Sequence, residues 1–148
     1  MMEEYFIEKK HLEINLLEIG IFRGESLAIW CDYFTNGKIY GLDGNTIPFK
    51  KNLSKLKEKG AFENNFPIVI EGDGTLLKDS KIFKDIKFDF IIDDGCHNLN
   101  CILKTFEIYF PLLKNGGVFF VEDNGDAVIK LRELYPNIKN RGHVFIKN

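Results

Sequence analysis

The chain has 148 residues, 45% hydrophobic and 28% charged, which fits one globular domain over 1–148 with a sizeable core. Its net charge is −2 and the signs alternate along the chain with no basic stripe, so no nucleic-acid footprint is expected. No apolar run is long enough for a membrane span, and MMEEYFIEKK carries no signal-peptide pattern.

Taken in chain order, apolar runs of strand length alternate with helical patterns, as in βαβ units and a parallel sheet. INLLEIG (14–20) reads as a buried strand and ESLAIWCDYF (25–34) as a helix, with Leu27, Trp30, Cys31 and Phe34 at helical spacing. KIYGLDG (38–44) is a second strand, followed by a Lys-rich amphipathic stretch over 49–59. FPIVIEGDG (66–74) makes the third strand, and a short helix is placed at 79–85. FDFIIDD (88–94) is the fourth strand, LNCILKTFEIYFPLL (99–113) the strongest helix and GGVFFVEDN (116–124) the fifth strand. DAVIKLRELY (126–135) closes the helices, and HVFIKN offers a final strand. The expectation is a doubly wound α/β domain with a mostly parallel, Rossmann-like sheet.

Ligands in such sheets bind at the carboxyl ends of the strands, near the point where strand order reverses. Asp43, Asp73, Asp94, Glu122 and Asp123 all fall at such ends. Each alone could be a solvated strand-end acid; five on one rim point to a site. The three cysteines (Cys31, Cys96, Cys101) are odd in number and show no ligand spacing. They suggest neither a disulfide framework nor a zinc site, and fit a reducing, cytoplasmic compartment.

LEIGIFRGES sits at the first strand-to-helix turn. Gly20 would permit the tight turn and Gly24 the close approach of a ligand. From Gly20 the GxGxxG fingerprint fails at Phe22 and Glu25, and no GxxxxGK[ST] loop is present, which disfavours a pyrophosphate ligand. LEIGIFRGES resembles the first motif of class I S-adenosylmethionine-dependent methyltransferases, in the ExGxxxGxS form of small-molecule O-methyltransferases. The resemblance implies that Glu18 and Ser26 lie near the methionine part of the cofactor and that Asp43 grips the ribose hydroxyls. It also places Asp73 of EGDG beside the adenine. A generic α/β turn at the glycines, and a plain helix-start hydroxyl at Ser26, stay open beside this.

FDFIIDDGCH and the later VEDN are similar to the DDGSH and (I/V)ED motifs of metal-dependent sugar and macrolide O-methyltransferases, with Cys96 in place of serine. More distantly they are similar to catechol-type enzymes. Carried over by position, the resemblance makes Asp94, Glu122 and Asp123 the metal ligands and His97 the general base. Asp93 would lie toward the cofactor, or replace a ligand if the register is off by one. The physical chemistry is consistent: adjacent parallel strands bring these carboxylates together, and a cation relieves their repulsion. Hard oxygen donors favour Mg²⁺, with Mn²⁺ or Ca²⁺ also suitable. The alternative is that Asp93 or Asp94 caps the next helix, Glu122 and Asp123 are merely exposed, and His97 is a surface histidine. Cys96 is expected to be a small buried side chain, and His11 and His143 to be ordinary.

The resemblance spans about residues 14–125. It implies methyl transfer from S-adenosylmethionine to a hydroxyl of a small molecule or sugar, with Mg²⁺ or another divalent cation. The segment after Asn124 is short for the two strands that normally complete this fold, so a compact or truncated C-terminal end is expected. A partner chain, as in a homo-oligomer, could complete the pocket. Two other classes stay open. One is an inactive cofactor-binding homologue or module that needs a partner chain. The other is a different metal-dependent α/β enzyme, such as a hydrolase or hydroxylase, against which the missing GxSxG elbow and 2-His-1-carboxylate set count.

Overall fold

The computed structural model describes residues 3–148. A short helix α1 (Glu3–Phe6) and a 3-10 turn (Ile7–Lys9) precede strand β1 (Asn15–Ile19). Then follow α2 (Glu25–Tyr33), β2 (Lys38–Asp43), α3 (Ile47–Glu58), β3 (Ile68–Glu71) and α4 (Leu77–Ser80), which runs into a 3-10 turn (Lys81–Phe83). The second half comprises β4 (Phe88–Asp93), α5 (Leu99–Tyr109) with a 3-10 turn (Phe110–Leu112), β5 (Leu113–Val121), α6 (Gly125–Leu134), β6 (Lys139–Arg141) and β7 (Val144–Ile146).

The strands form one seven-stranded sheet in the order β3-β2-β1-β4-β5-β7-β6. Strands β1 to β5 pair in parallel, while β7 runs antiparallel to both β5 and β6. The chain winds outward through β1, β2 and β3 and then returns to lay β4 on the other side of β1. Strand order therefore reverses between β1 and β4, the place where this class of sheet opens a ligand cleft.

Side-chain alternation explains why the central strands read as apolar runs interrupted by the buried acids Glu18 and Asp89. Leu16, Phe90 and Phe120 face one layer while Leu17, Ile91 and Phe119 face the other, so both faces are buried. Leu27 and Cys31 of α2 and Phe49 of α3 cover the first face; Phe106 of α5 and Leu131 of α6 cover the second. Phe6 of α1 extends the first layer, its ring centred 4.8 Å from that of Phe90 and 5.3 Å from that of Phe120.

The sheet is not cut short at its C-terminal side, contrary to the sequence expectation. Residues after α6 supply both β6 and β7, and Phe119 pairs with Phe145 across the antiparallel ladder. Strand β6 escaped notice because KNR offers no apolar alternation and only three residues. Strand β5 also starts earlier than GGVFFVEDN suggests, at Leu113, with a register shift against β4 between Phe88 and Phe90.

At the end of β4 away from the strand-order reversal, Asp89 is 6% exposed. It accepts from Lys114 Nζ at 2.6 Å, the Asn15 N–H at 3.0 Å and Lys9 Nζ at 3.1 Å. Burial alone would raise its pKa, but these donors outweigh burial and hold it below the ordinary value. Such a carboxylate stabilises the fold above its unfolded pKa of about 4 and loses that contribution as pH falls through its folded value. Asp89→Ala is expected to cost about 2–4 kcal/mol at neutral pH, because it strands the partners that tie β1, β5 and the N-terminal turn together. Urea unfolding at pH 7 and pH 3 checks this; the difference between wild type and variant should shrink at the lower pH.

Candidate functional site

Two strand ends meet at the β1–β4 junction. Gly20 leaves β1 at φ +86°, with its N–H donating to Leu42 O at 2.8 Å. The Asp94 N–H donates to Ile19 O at 2.9 Å. A Cβ on Gly20 would lie 2.3 Å from Asp94 O and 2.6 Å from Gly95 Cα, so only glycine lets the two turns approach this closely. Gly24, at φ +82°, stands before α2 against the Phe49 ring, where a Cβ would come within 2.3 Å. Gly24 is thus a packing position at the start of α2.

These turns open onto a cleft of about 1060 Å³, lined among others by Gly20, Ser26, Asp43, Asp73, Asp94 and His97. Asp43 Oδ2 accepts from the N–H groups of Ile21 (2.9 Å) and Phe22 (3.0 Å), and Oδ1 accepts from the Asn45 N–H (2.9 Å). Two of these bonds fix the Gly20 turn and the third fixes the chain after β2, so three of roughly four carboxylate acceptor positions are used. Glu71, at the end of β3, also lines the cleft and is fixed by Thr46, whose side chain holds the carboxyl below its ordinary pKa. Asp73 is exposed and tied through Oδ1 to the Thr75 N–H and hydroxyl at 2.8 and 2.7 Å.

Glu18 lies beneath the cleft at 1% exposure. Burial pushes its pKa to about 7, with the Ser26 hydroxyl and Trp30 indole working against burial, and Asp94 and Glu122 adding to it. The indole N–H reaches Oε1 at 3.3 Å, while Oε2 has no partner among the described residues. A raised carboxyl binds its proton more tightly in the folded chain, so its ionisation erodes stability as pH climbs from about 4.5 to about 7. We expect Glu18→Gln to remove that decline and to gain roughly 3 kcal/mol above pH 7 in the metal-free chain. Denaturant unfolding in EDTA checks this. Trp30, the only tryptophan, should report the wild-type transition by its emission.

The acids at the ends of β4 and β5 divide into inner and outer groups. Asp93 is 2% exposed and turns inward, accepting from the Thr105 hydroxyl and the Gly95 N–H. Burial raises its pKa. Asp94, His97 and Asp123 turn outward, each with a ligand atom within 4.8 Å of the others'. Asp94 Oδ1 lies 3.8 Å from His97 Nε2. His97 and Asp123 both adopt left-handed backbone conformations, at φ 51° and 53°. Glu122 lies outside that group, yet its pKa is raised by burial and then by Asp94 and Asp123. Burial likewise raises Asp94, opposed by His97 and reinforced by Asp123. Two carboxylates and a third acid nearby make an oxygen donor set suited to Mg²⁺ or Mn²⁺, which would relieve this repulsion, with the His97 imidazole beside it.

Cys96 departs from expectation. It is exposed and joined to Cys101 in the first turn of α5 by a disulfide. The buried, packed side chain is Cys31 instead. An odd cysteine count hid a pair separated by only five positions. Sequence reasoning also passed over Thr105, Thr46 and Asn124, whose Nδ2 donates to His97 O at 2.8 Å. A hydroxyl on the otherwise apolar stripe Ile102, Thr105, Phe106, Tyr109 was the available signal for the first.

A Rossmann-like sheet with an acid-rimmed cleft at its switch point defines the class I methyltransferase arrangement. Residues 17–124 match the family described as "Methyltransferase domain", and the chain belongs to that family. It is 29% identical over 133 residues to mycinamicin VI 2''-O-methyltransferase of Micromonospora griseorubida, covering 82% of this chain and 30% of that protein. It is 32% identical over 122 residues to L-olivosyl-oleandolide 3-O-methyltransferase of Streptomyces antibioticus, covering 74% and 28%. The chain thus spans about 30% of the length of these curated relatives. Among solved structures, MycE methyltransferase from the mycinamycin pathway, in complex with Mg and SAH, superposes with TM-score 0.74 at 22% identity, covering 99% of this chain and 48% of that one. TrmN from Thermus thermophilus superposes with TM-score 0.75 at 13% identity, over 99% and 48%. At these identities the superpositions establish the fold.

Proposed function

We propose that the chain carries S-adenosylmethionine-dependent, divalent-cation-dependent O-methyl transfer to a hydroxyl of a small molecule or sugar. The observation that supports this most is the meeting of the Gly20 turn with Asp94, His97 and Asp123 at one switch point. The methyl donor supplies an electrophilic carbon on a sulfonium, and a bound Mg²⁺ or Mn²⁺ supplies Lewis acidity toward a substrate hydroxyl. Gly20 and Ser26 line the donor side of the cleft. Glu18 sits beneath it with a free carboxyl oxygen suited to a cationic ligand. Asp43 and Glu71 provide acceptor oxygens for ligand hydroxyls on the β2–β3 side. Asp94 and Asp123, with Glu122 beside them, would hold the cation. His97 accepts the proton that leaves the substrate hydroxyl. The curated relatives named above are, by their names, O-methyltransferases of mycinamicin VI and of L-olivosyl-oleandolide, and a hydroxyl acceptor of that kind is assigned here.

Membership in a methyltransferase family sets aside the hydrolase and hydroxylase alternatives. Among the described residues no helix is long and apolar enough to cross a membrane. An enzyme acting on a small hydroxyl compound rather than nucleic acid fits the weak, mixed charge. The test is transfer of a labelled methyl group from S-adenosylmethionine to a vicinal-diol sugar or macrolide glycoside, with and without EDTA. EDTA should abolish turnover and Mn²⁺ restore it; binding of donor without turnover would favour the inactive module. His97→Ala should lower kcat about 10²- to 10⁴-fold with donor affinity unchanged.

A further inference from the structure

Asp94 and His97 belong to the short loop between β4 and α5, residues 94–98. Backbone ties to this loop are the Asp94 N–H to Ile19 O, the Gly95 N–H to Asp93, the Asn124 side chain to His97 O and, at its α5 end, the Ile102 N–H to Asn98 O, which leaves Cys96 itself without one. His97 is held at φ 51°, a conformation that residues with a Cβ adopt reluctantly. The Cys96–Cys101 bond crosses this loop and fastens it to the first turn of α5, enclosing residues 97–100. Both cysteines line the cleft, and Cys96 is exposed, so a small solute can reach the bond. The third cysteine, Cys31, is buried with its thiol pushed up to about 12 by burial, which keeps it out of exchange.

We propose that Cys96 and Cys101 form a thiol–disulfide exchange site that latches the loop carrying Asp94 and His97. Exposed bonds of this kind beside a site are the reducible, regulatory ones. The reductant is a small-molecule thiol of the glutathione class. Its thiolate attacks Cys96 Sγ, the Cys96–Cys101 bond breaks, and Cys101 leaves as a thiolate that takes up a proton. A second thiol then attacks the mixed disulfide and frees Cys96, so two electrons pass to the protein and the reductant ends as its own disulfide. Reduction unfastens the loop at Cys96. The consequence for cation affinity rests on the reading of Asp94 and Asp123, with Glu122 beside them, as a cation site; the latch itself does not.

Amide hydrogen exchange of the whole chain, oxidised and dithiothreitol-reduced, tests the latch without any ion. The hydrogen-bonded amides of Asp94, Gly95 and Asn100 should exchange about tenfold or more faster after reduction, while β1 and β4 stay unchanged. The Cys96→Ser/Cys101→Ser variant should match the reduced protein and ignore dithiothreitol. Equal exchange in the two forms, or two free thiols by alkylation and mass spectrometry even in oxidised glutathione, would overturn the proposal. Mn²⁺ titration of both forms then separates the two readings. Binding about 10- to 100-fold weaker after reduction supports the coupling. Mn²⁺ binding to neither form, with faster exchange after reduction, leaves the latch standing and removes the cation site.

Discussion

Gly20→Ala is expected to melt on the order of 10 °C below the wild type and to lose affinity for S-adenosylmethionine. The added Cβ would meet backbone, not a side chain: Asp94 O at 2.3 Å, Asp94 C at 2.6 Å and Gly95 Cα at 2.6 Å. No rotamer change can relieve that contact. Alanine at φ +86° adds the left-handed penalty, about 1–2 kcal/mol, and forced repacking adds about 1–3 kcal/mol. A total of roughly 2–5 kcal/mol corresponds to a melting shift of this order for a chain of this size. The damage falls on the cleft itself, because β4 must move its end away from β1. Circular dichroism melting checks the stability arm; an alanine variant melting within about 2 °C of wild type contradicts the close β1–β4 junction.

Asp94→Asn should separate stability from function, with opposite signs. The Asp94 carboxyl is raised by burial and by Asp123, so ionising it at neutral pH works against the ion-free fold. The neutral amide should therefore make the ion-free chain more stable. The same change removes a charged ligand, and Mn²⁺ affinity should fall by more than the roughly 10- to 100-fold typical of outer-shell losses. Methyl transfer should fall with it. Asp123→Asn should weaken Mn²⁺ binding in the same way. Glu122→Gln should weaken Mn²⁺ binding less, since Glu122 lies outside the group formed by Asp94, His97 and Asp123. Melting curves with and without Mn²⁺ read both signs at once. A variant that Mn²⁺ still stabilises as fully as wild type would exclude Asp94 from the site.

The central strands were legible because β1, β2 and β4 are buried on both faces and are apolar along most of their length. The site was legible for a related reason: once the run ends, Asp43, Asp94 and Asp123 have nothing apolar to join and must sit at the rim. Side-chain direction beyond the strand end was less so. Strand β5 stops at Val121, and Asp123 takes a left-handed backbone that brings it, rather than Glu122, to Asp94 and His97. No pattern in VEDN announces that turn. The inward rotation of Asp93 likewise depends on Thr105, twelve positions further along the chain. Helix α1 and strand β6 were invisible because their short segments acquire meaning only through tertiary contacts: Phe6 against Phe90, and Asn140 against Phe145.

The most direct test of the central claim is isothermal titration of the oxidised chain with S-adenosylhomocysteine, with and without Mg²⁺. We predict saturable one-site binding in both conditions, and a separate Mg²⁺ response that Asp94→Asn abolishes. No heat and no melting shift at millimolar S-adenosylhomocysteine would contradict the reading of this cleft as a methyl-donor site.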